Sequence, residues 1–128
     1  MFTKRVFAVS AAGVLAAMFS GAVASAQPQD PVQAMAEACD EGKLCVWEGA
    51  NGQGKRVDFY VCQWEEVQRH GLSRVGSFVN NQTDGTVAAF HGPDPANPTG
   101  PWIEQYRSTA FEIRDDDRGL GTYGIQVC

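Results

Sequence analysis

The chain has 128 residues, a formal charge of −5, a sequence pI near 4.8 and four cysteines. A net negative chain shares its sign with nucleic acid and with anionic membranes, so charge argues against both as partners. A chain of this length holds one domain and leaves no room for a second.

In chain order, "MFTKR" supplies Lys4 and Arg5, followed by the uncharged, Ala- and Val-rich run Val6 to Ala24 and the triplet Ala24-Ser25-Ala26. This is the pattern of a secretory signal peptide, whose peptidase accepts only small residues at the cleavage site. The alternative is an uncleaved anchor, since Val6 to Ala24 is about long enough to span a bilayer. With residues 1–26 read as signal peptide, 102 of the 128 residues remain from Gln27 onward, and loss of Lys4 and Arg5 takes the charge from −5 to −7. The expected location is secreted and extracellular, with no membrane contact after cleavage.

Residues 27–38 open on "QPQDP". "VQAMAEA" could add a helical turn, but with no cap in view the stretch is expected to be a flexible N-terminal extension. The domain is expected over residues 39–128.

From Cys39 the dominant period is two. Leu44 and Val46 alternate with Cys45 and Trp47, and Val57, Phe59 and Val61 alternate with Asp58, Tyr60 and Cys62. Alternation predicts strands with one face on a core and one toward solvent. Further strands are predicted in "SFVNN", "TVAAF", "PWIEQY", "AFEIR" and "YGIQVC", separated by glycine and proline clusters. "QWEEVQRHG" differs: Trp64, Val67 and Leu72 lie near helical spacing, and Gly71 suits a helix stop, so one short helix is predicted there. The elements add up to a small all-β antiparallel sandwich. Between the first two strands lie Gly49, Gly52 and Gly54. A hairpin that folds back over its own sheet needs positive φ at more than one position, and Gly52 and Gly54 are the expected places.

All four cysteines, Cys39, Cys45, Cys62 and Cys128, follow the cleavage site, which predicts two disulfides with three possible pairings. Zinc is the alternative, but there is no Cys-x-x-Cys, and His70 and His91 sit in no ligand pattern. Catalysis finds no constellation: the two histidines read as surface residues, and Glu65 and Glu66, adjacent on the predicted helix, diverge. Asp115, Asp116 and Asp117 read as a solvated acidic turn before Gly119. Trp47, Trp64 and Trp102 could stack on a sugar, though in a small sandwich such residues more often pack core and corners. Asn81-Gln82-Thr83 reads as a polar turn.

The most unusual stretch is "HGPDPANPTGPW". Pro93, Pro95, Pro98 and Pro101 each fix φ and remove an amide donor, giving a segment stiff without sheet pairing. A stiff loop loses less entropy on docking, which suits an inhibitor and marks Pro93, Asp94, Pro95, Ala96, Asn97 and Pro98 as a candidate inhibitory loop. The plainer reading is a long hairpin connection protected from aggregation by its prolines.

These residues resemble a known family. Trp47 and Gly54 stand in the first aromatic and the glycine places of the βγ-crystallin folded hairpin, with Gly52 in the second aromatic place. "SRVGSFVNN" resembles the later serine segment, with Ser77 bonding back to the hairpin. From Cys39 to Phe90 the chain resembles the secreted inhibitors of the streptomycete metalloproteinase inhibitor type; from His91 onward the likeness is faint. The resemblance implies a βγ-crystallin-like Greek-key sandwich, an extracellular peptidase as partner and, as in the founding inhibitor, a Cys39–Cys45 bridge that leaves Cys62 with Cys128. It transfers no reactive-site residue, because only Cys128 lies beyond Cys62 and the family's reactive loop cannot be closed the same way. Ser73 and Arg74 fill the places of the calcium-binding Asn or Asp pair, and Arg74 would bring positive charge to the ion, so calcium is not expected. Nor is any other cofactor. The other function class left open is an extracellular structural or interaction module without inhibitory action; a secreted enzyme is the weakest reading.

Overall fold

The computed structural model describes residues 29–116 and 121–128; the expected signal peptide, Asp117 and Gly119 lie outside the described residues. The first element among the described residues is a helix. In α1 (Pro31–Ala38) the Asp30 carboxylate accepts the Val32 N–H at 2.9 Å, and Pro31 supplies a φ already suited to the first turn. Met35 is 2% exposed on its inner side. The expectation of a flexible extension is therefore corrected for residues 31–38: Asp30 is the cap missing from the sequence reading, and burial of Met35 fastens the helix.

Among the described residues eight strands follow: β1 (Lys43–Trp47), β2 (Arg56–Phe59), β3 (Trp64–Glu66), β4 (Ser77–Asn81), β5 (Val87–Gly92), β6 (Ile103–Thr109), β7 (Ile113–Arg114) and β8 (Gly124–Gln126). They form two antiparallel four-stranded sheets, in the orders β2-β1-β4-β7 and β3-β8-β5-β6. The all-β, two-sheet, disulfide-bonded reading holds. Leu44, Val46, Phe59, Phe78, Phe90 and Ile125 meet between the sheets, with Phe78 and Phe90 stacked at 4.5 Å. Burying such side chains is the main favourable term in a domain this small.

Both sheets follow one plan. Adding four to each strand number of the order β2-β1-β4 gives β6-β5-β8, the same arrangement in the second half, and the third strand of each half sits in the other sheet. This exchange ties the halves together by backbone hydrogen bonds at two places, β4 with β7 and β8 with β3.

The helix expected over residues 63–71 is corrected. Trp64–Glu66 is strand, paired Trp64↔Gln126, Glu65↔Ile125 and Glu66↔Gly124, and only Val67–His70 is helical, as one 3-10 turn closed by Gly71 at φ 79. The free edge of β8 satisfies the backbone of residues 64–66. The single turn then suffices to carry both Val67 and Leu72 into the core.

Solvent was expected on the outer face of β1, but Cys45 and Trp47 are buried there. With Met35, Cys39 and Val79 they form a second cluster beneath α1. Val61 departs the other way: β2 ends at Phe59, and Val61 is exposed. Cys39 is bonded to Cys45 with Cα atoms 5.9 Å apart, and Cys62 to Cys128 at 5.0 Å.

Candidate functional site

The turn between β1 and β2 folds back toward β4. Asn51, Gly52 and Gly54 take φ of 55, 68 and 81, and a Cβ at Gly52 would stand 2.6 Å from Met35 Cγ. Glycine is needed at Gly52 on both counts. Ser77 Oγ accepts the Gly52 N–H at 2.9 Å and donates to the Gly49 carbonyl at 2.7 Å, while Trp47 packs below with Arg56 over its ring at 5.2 Å. Next to the hairpin, the Ser73 N–H donates to Glu48 Oε2 at 3.0 Å and Arg74 Nε donates to the Glu48 carbonyl at 3.2 Å. Residues 73 and 74 thus tie the hairpin to the chain leading into β4. Among the described residues, no three His, Cys, Asp or Glu side chains are grouped as metal ligands would be.

In the second half the position matching Ser77 is Gly124: Ser77 pairs with Trp47 and Gly124 with His91, and the next residues, Phe78 and Ile125, both face the core. The connection from β5 to β6 has no serine at that position to tie it. It is built of two consecutive β-turns. Asn97 N–H donates to the Asp94 carbonyl at 3.0 Å, and Gly100 N–H to the Asn97 carbonyl at 2.9 Å. Asp94 and Asn97 occupy the first positions, Pro95 and Pro98 the second, and neither Ala96 nor Thr99 has positive φ, as type I turns require. Asp94 Oδ1 also accepts the Ala96 N–H at 2.9 Å, and Gln105 Nε2 donates to the Pro93 carbonyl at 3.3 Å. The candidate inhibitory residues Pro93, Asp94, Pro95, Ala96, Asn97 and Pro98 are thus held by local bonds, with 95 to 98 exposed at the tip. The proline spacing was visible in the sequence. The doubled Asx-Pro signal, Asp94-Pro95 and Asn97-Pro98, is the local sequence feature that specifies the turns.

The three tryptophans separate. Trp47 is buried under α1, whereas Trp64 and Trp102 lie 6.3 Å apart, each 41% exposed, with Tyr123 5.6 Å beyond Trp102 and the His91 edge 5.0 Å from Trp64. His70 pairs with Glu65 at 2.7 Å and meets Phe59 edge-on at 5.0 Å. The Gln63 amide, and after it His70, hold the Glu65 carboxyl below the usual carboxylate range. Glu66 instead takes an ion pair with Arg69 at 3.1 Å. In the core wall, Arg114 lies over the Tyr106 ring at 4.2 Å, and burial followed by the hydrogen bond to Glu112 pushes the Tyr106 phenol up.

Two four-stranded sheets that exchange a strand, and two disulfides, define a small disulfide-bonded β-sandwich. The model of peptidase inhibitor family I36 matches residues 32–111, more than half of the chain, and the chain belongs to that family. The match takes in α1 from Val32 on, the serine-tied hairpin and the whole β5–β6 connection, and it stops short of β7, β8 and Cys128. Neither the curated proteins nor the solved structures compared with the chain match it.

Proposed function

We propose that this chain is a secreted inhibitor that blocks an extracellular peptidase, of the metalloproteinase class, by seating the loop from Pro93 to Pro101 in its cleft. Family membership gives the inhibitor class. The loop assignment rests on one observation: the tandem turns Asp94–Asn97 and Asn97–Gly100 hold an exposed tip in shape before any partner arrives. Preorganisation of this kind lowers the entropy lost on docking. The turns also favour steric filling over substrate mimicry, because a substrate-like segment adds to a peptidase as an extended strand and these residues are folded. Two disulfides, and a basic then apolar start ending in Ala24-Ser25-Ala26, support export with cleavage after Ala26. The serine-tied hairpin supports the βγ-crystallin-type reading of the fold.

The test is a titration of the protein starting at Gln27 against a panel of secreted metallo- and serine peptidases. Stoichiometric loss of metalloproteinase activity is expected. Clean digestion of the protein by every member of the panel would remove the reading.

A further inference from the structure

The two outer faces of the sandwich are treated differently. Helix α1 covers the β1 side, burying Cys45, Trp47 and Val79. No described element lies over the corresponding face of the other sheet, which carries an open groove of about 610 Å³ bordered by Trp64, His91, Glu104, Arg107 and Gln126, with Ala89 among its lining residues.

Trp64 lies over the sheet because Gly124 has no side chain: a Cβ there would collide with the indole. The Trp64 and His91 rings meet edge to face with centroids 5.0 Å apart, and the exposed indole of Trp102 continues the aromatic surface at a tilt of 34°. Large aromatic area on a surface is retained where something stacks on it. The polar groups beside it bond to one another and to backbone. Arg107 donates to Glu104 twice, Nε to Oε1 and Nη2 to Oε2, both at 2.9 Å. Gln126 Nε2 donates to the Cys128 carbonyl at 3.1 Å, which leaves Gln126 Oε1 as an acceptor. His91 Nδ1 donates to the Ala89 carbonyl at 3.2 Å, which fixes the ring's orientation at the groove.

The groove therefore offers a flat apolar wall next to planar donors and acceptors whose two charged side chains cancel. A phosphate or carboxylate at Arg107 would stand beside the Glu104 carboxylate, which bears the same sign. A neutral ring with C–H groups on its faces and hydroxyls around its edge meets the wall and the polar row together. We infer that the outer face of the β3-β8-β5-β6 sheet is a binding groove for a neutral oligosaccharide, with Trp64 as the stacking platform and Glu104, Arg107 and Gln126 as hydroxyl partners. The site is separate from the loop tip and goes beyond peptidase inhibition.

Tryptophan emission and calorimetry on the intact protein, titrated with cellohexaose, chitohexaose and maltohexaose, test this. Saturable binding of at least one hexasaccharide is expected. Trp64→Ala should weaken it about tenfold or more, the equivalent of about 1.4 kcal/mol. Arg107→Ala, at an exposed position where folding is not at risk, should weaken it several-fold and serves if Trp64→Ala fails to fold. Replacing the loop tip should leave it unchanged. Absence of saturation with all three sugars overturns the inference, as does equal affinity in Arg107→Ala, or saturation by hexaalanine in place of the sugars, which would make the groove a peptide site.

Discussion

Ser77 and Gly52, 25 residues apart in the chain, are joined by a 2.9 Å hydrogen bond in which the buried hydroxyl accepts the glycine amide and in turn donates to Gly49. One side chain thus holds the folded hairpin against β4. Ser77→Ala strands a donor and an acceptor where the native hydroxyl is 1% exposed. A loss of roughly 2–4 kcal/mol is expected in denaturant unfolding, well above that of an ordinary surface change. A loss below about 0.5 kcal/mol would mean that water replaces the hydroxyl freely.

The two disulfides differ in the loop they close. Cys62–Cys128 spans 66 residues and Cys39–Cys45 spans 6. On the chain-entropy model these correspond to about 4 and about 2 kcal/mol. Cys62→Ala/Cys128→Ala is expected to lower the melting temperature more than Cys39→Ala/Cys45→Ala, although the latter pair is the buried one. The reverse order would show that packing under α1 outweighs loop closure.

Phe111 is 60% exposed and has φ 72 in the turn closed by the Glu112 N–H to Thr109 carbonyl bond. That is the third position of a type II turn, where glycine is at ease and a side chain is strained. Phe111→Gly is expected to raise stability by about 0.5–1 kcal/mol, the relief exceeding the added freedom of the unfolded chain. Thermal unfolding that moves downward instead would show that the ring packs more strongly than its exposure indicates.

Glu65 titrates below the usual carboxylate range because the Gln63 amide, then His70, bond its ionised form. A folded pKa depressed in this way adds stability that is present above the unfolded value and is lost as pH falls through the folded one. In Gln63→Ala, the Glu65 carboxyl resonance followed by NMR should titrate at higher pH than in the parent, and stability should fall away earlier on the acid side. An unmoved Glu65 curve would assign the depression to His70 alone.

What could be read in the sequence was what a single stretch dictates. Period-two runs announced β1 and β2, short apolar runs between turn signals announced β4 and β5, and the demand for positive φ falls on Gly52 and Gly54, at 68 and 81. What could not be read depends on distant chain. Residues 64–66 become strand only because β8, some sixty positions later, presents a free edge, while Trp64, Val67 and Leu72 on their own mimic a helix. Cys45 and Trp47 alternate as a solvent face should, and only α1 docking through Met35 buries them. Asp30-Pro31 was a readable start signal for that helix. The groove was not readable, because it joins residues 64, 91, 104, 107 and 126 through the exchange of third strands.

The most direct test replaces Pro93 to Pro101 by a short glycine turn and measures both inhibition of the susceptible metalloproteinase and thermal unfolding. The local bonds of the loop contribute little to the core, so the melting temperature should move by no more than about 2 °C while inhibition disappears. Full inhibition by the shortened protein would contradict the account and move the contact surface elsewhere on the sandwich.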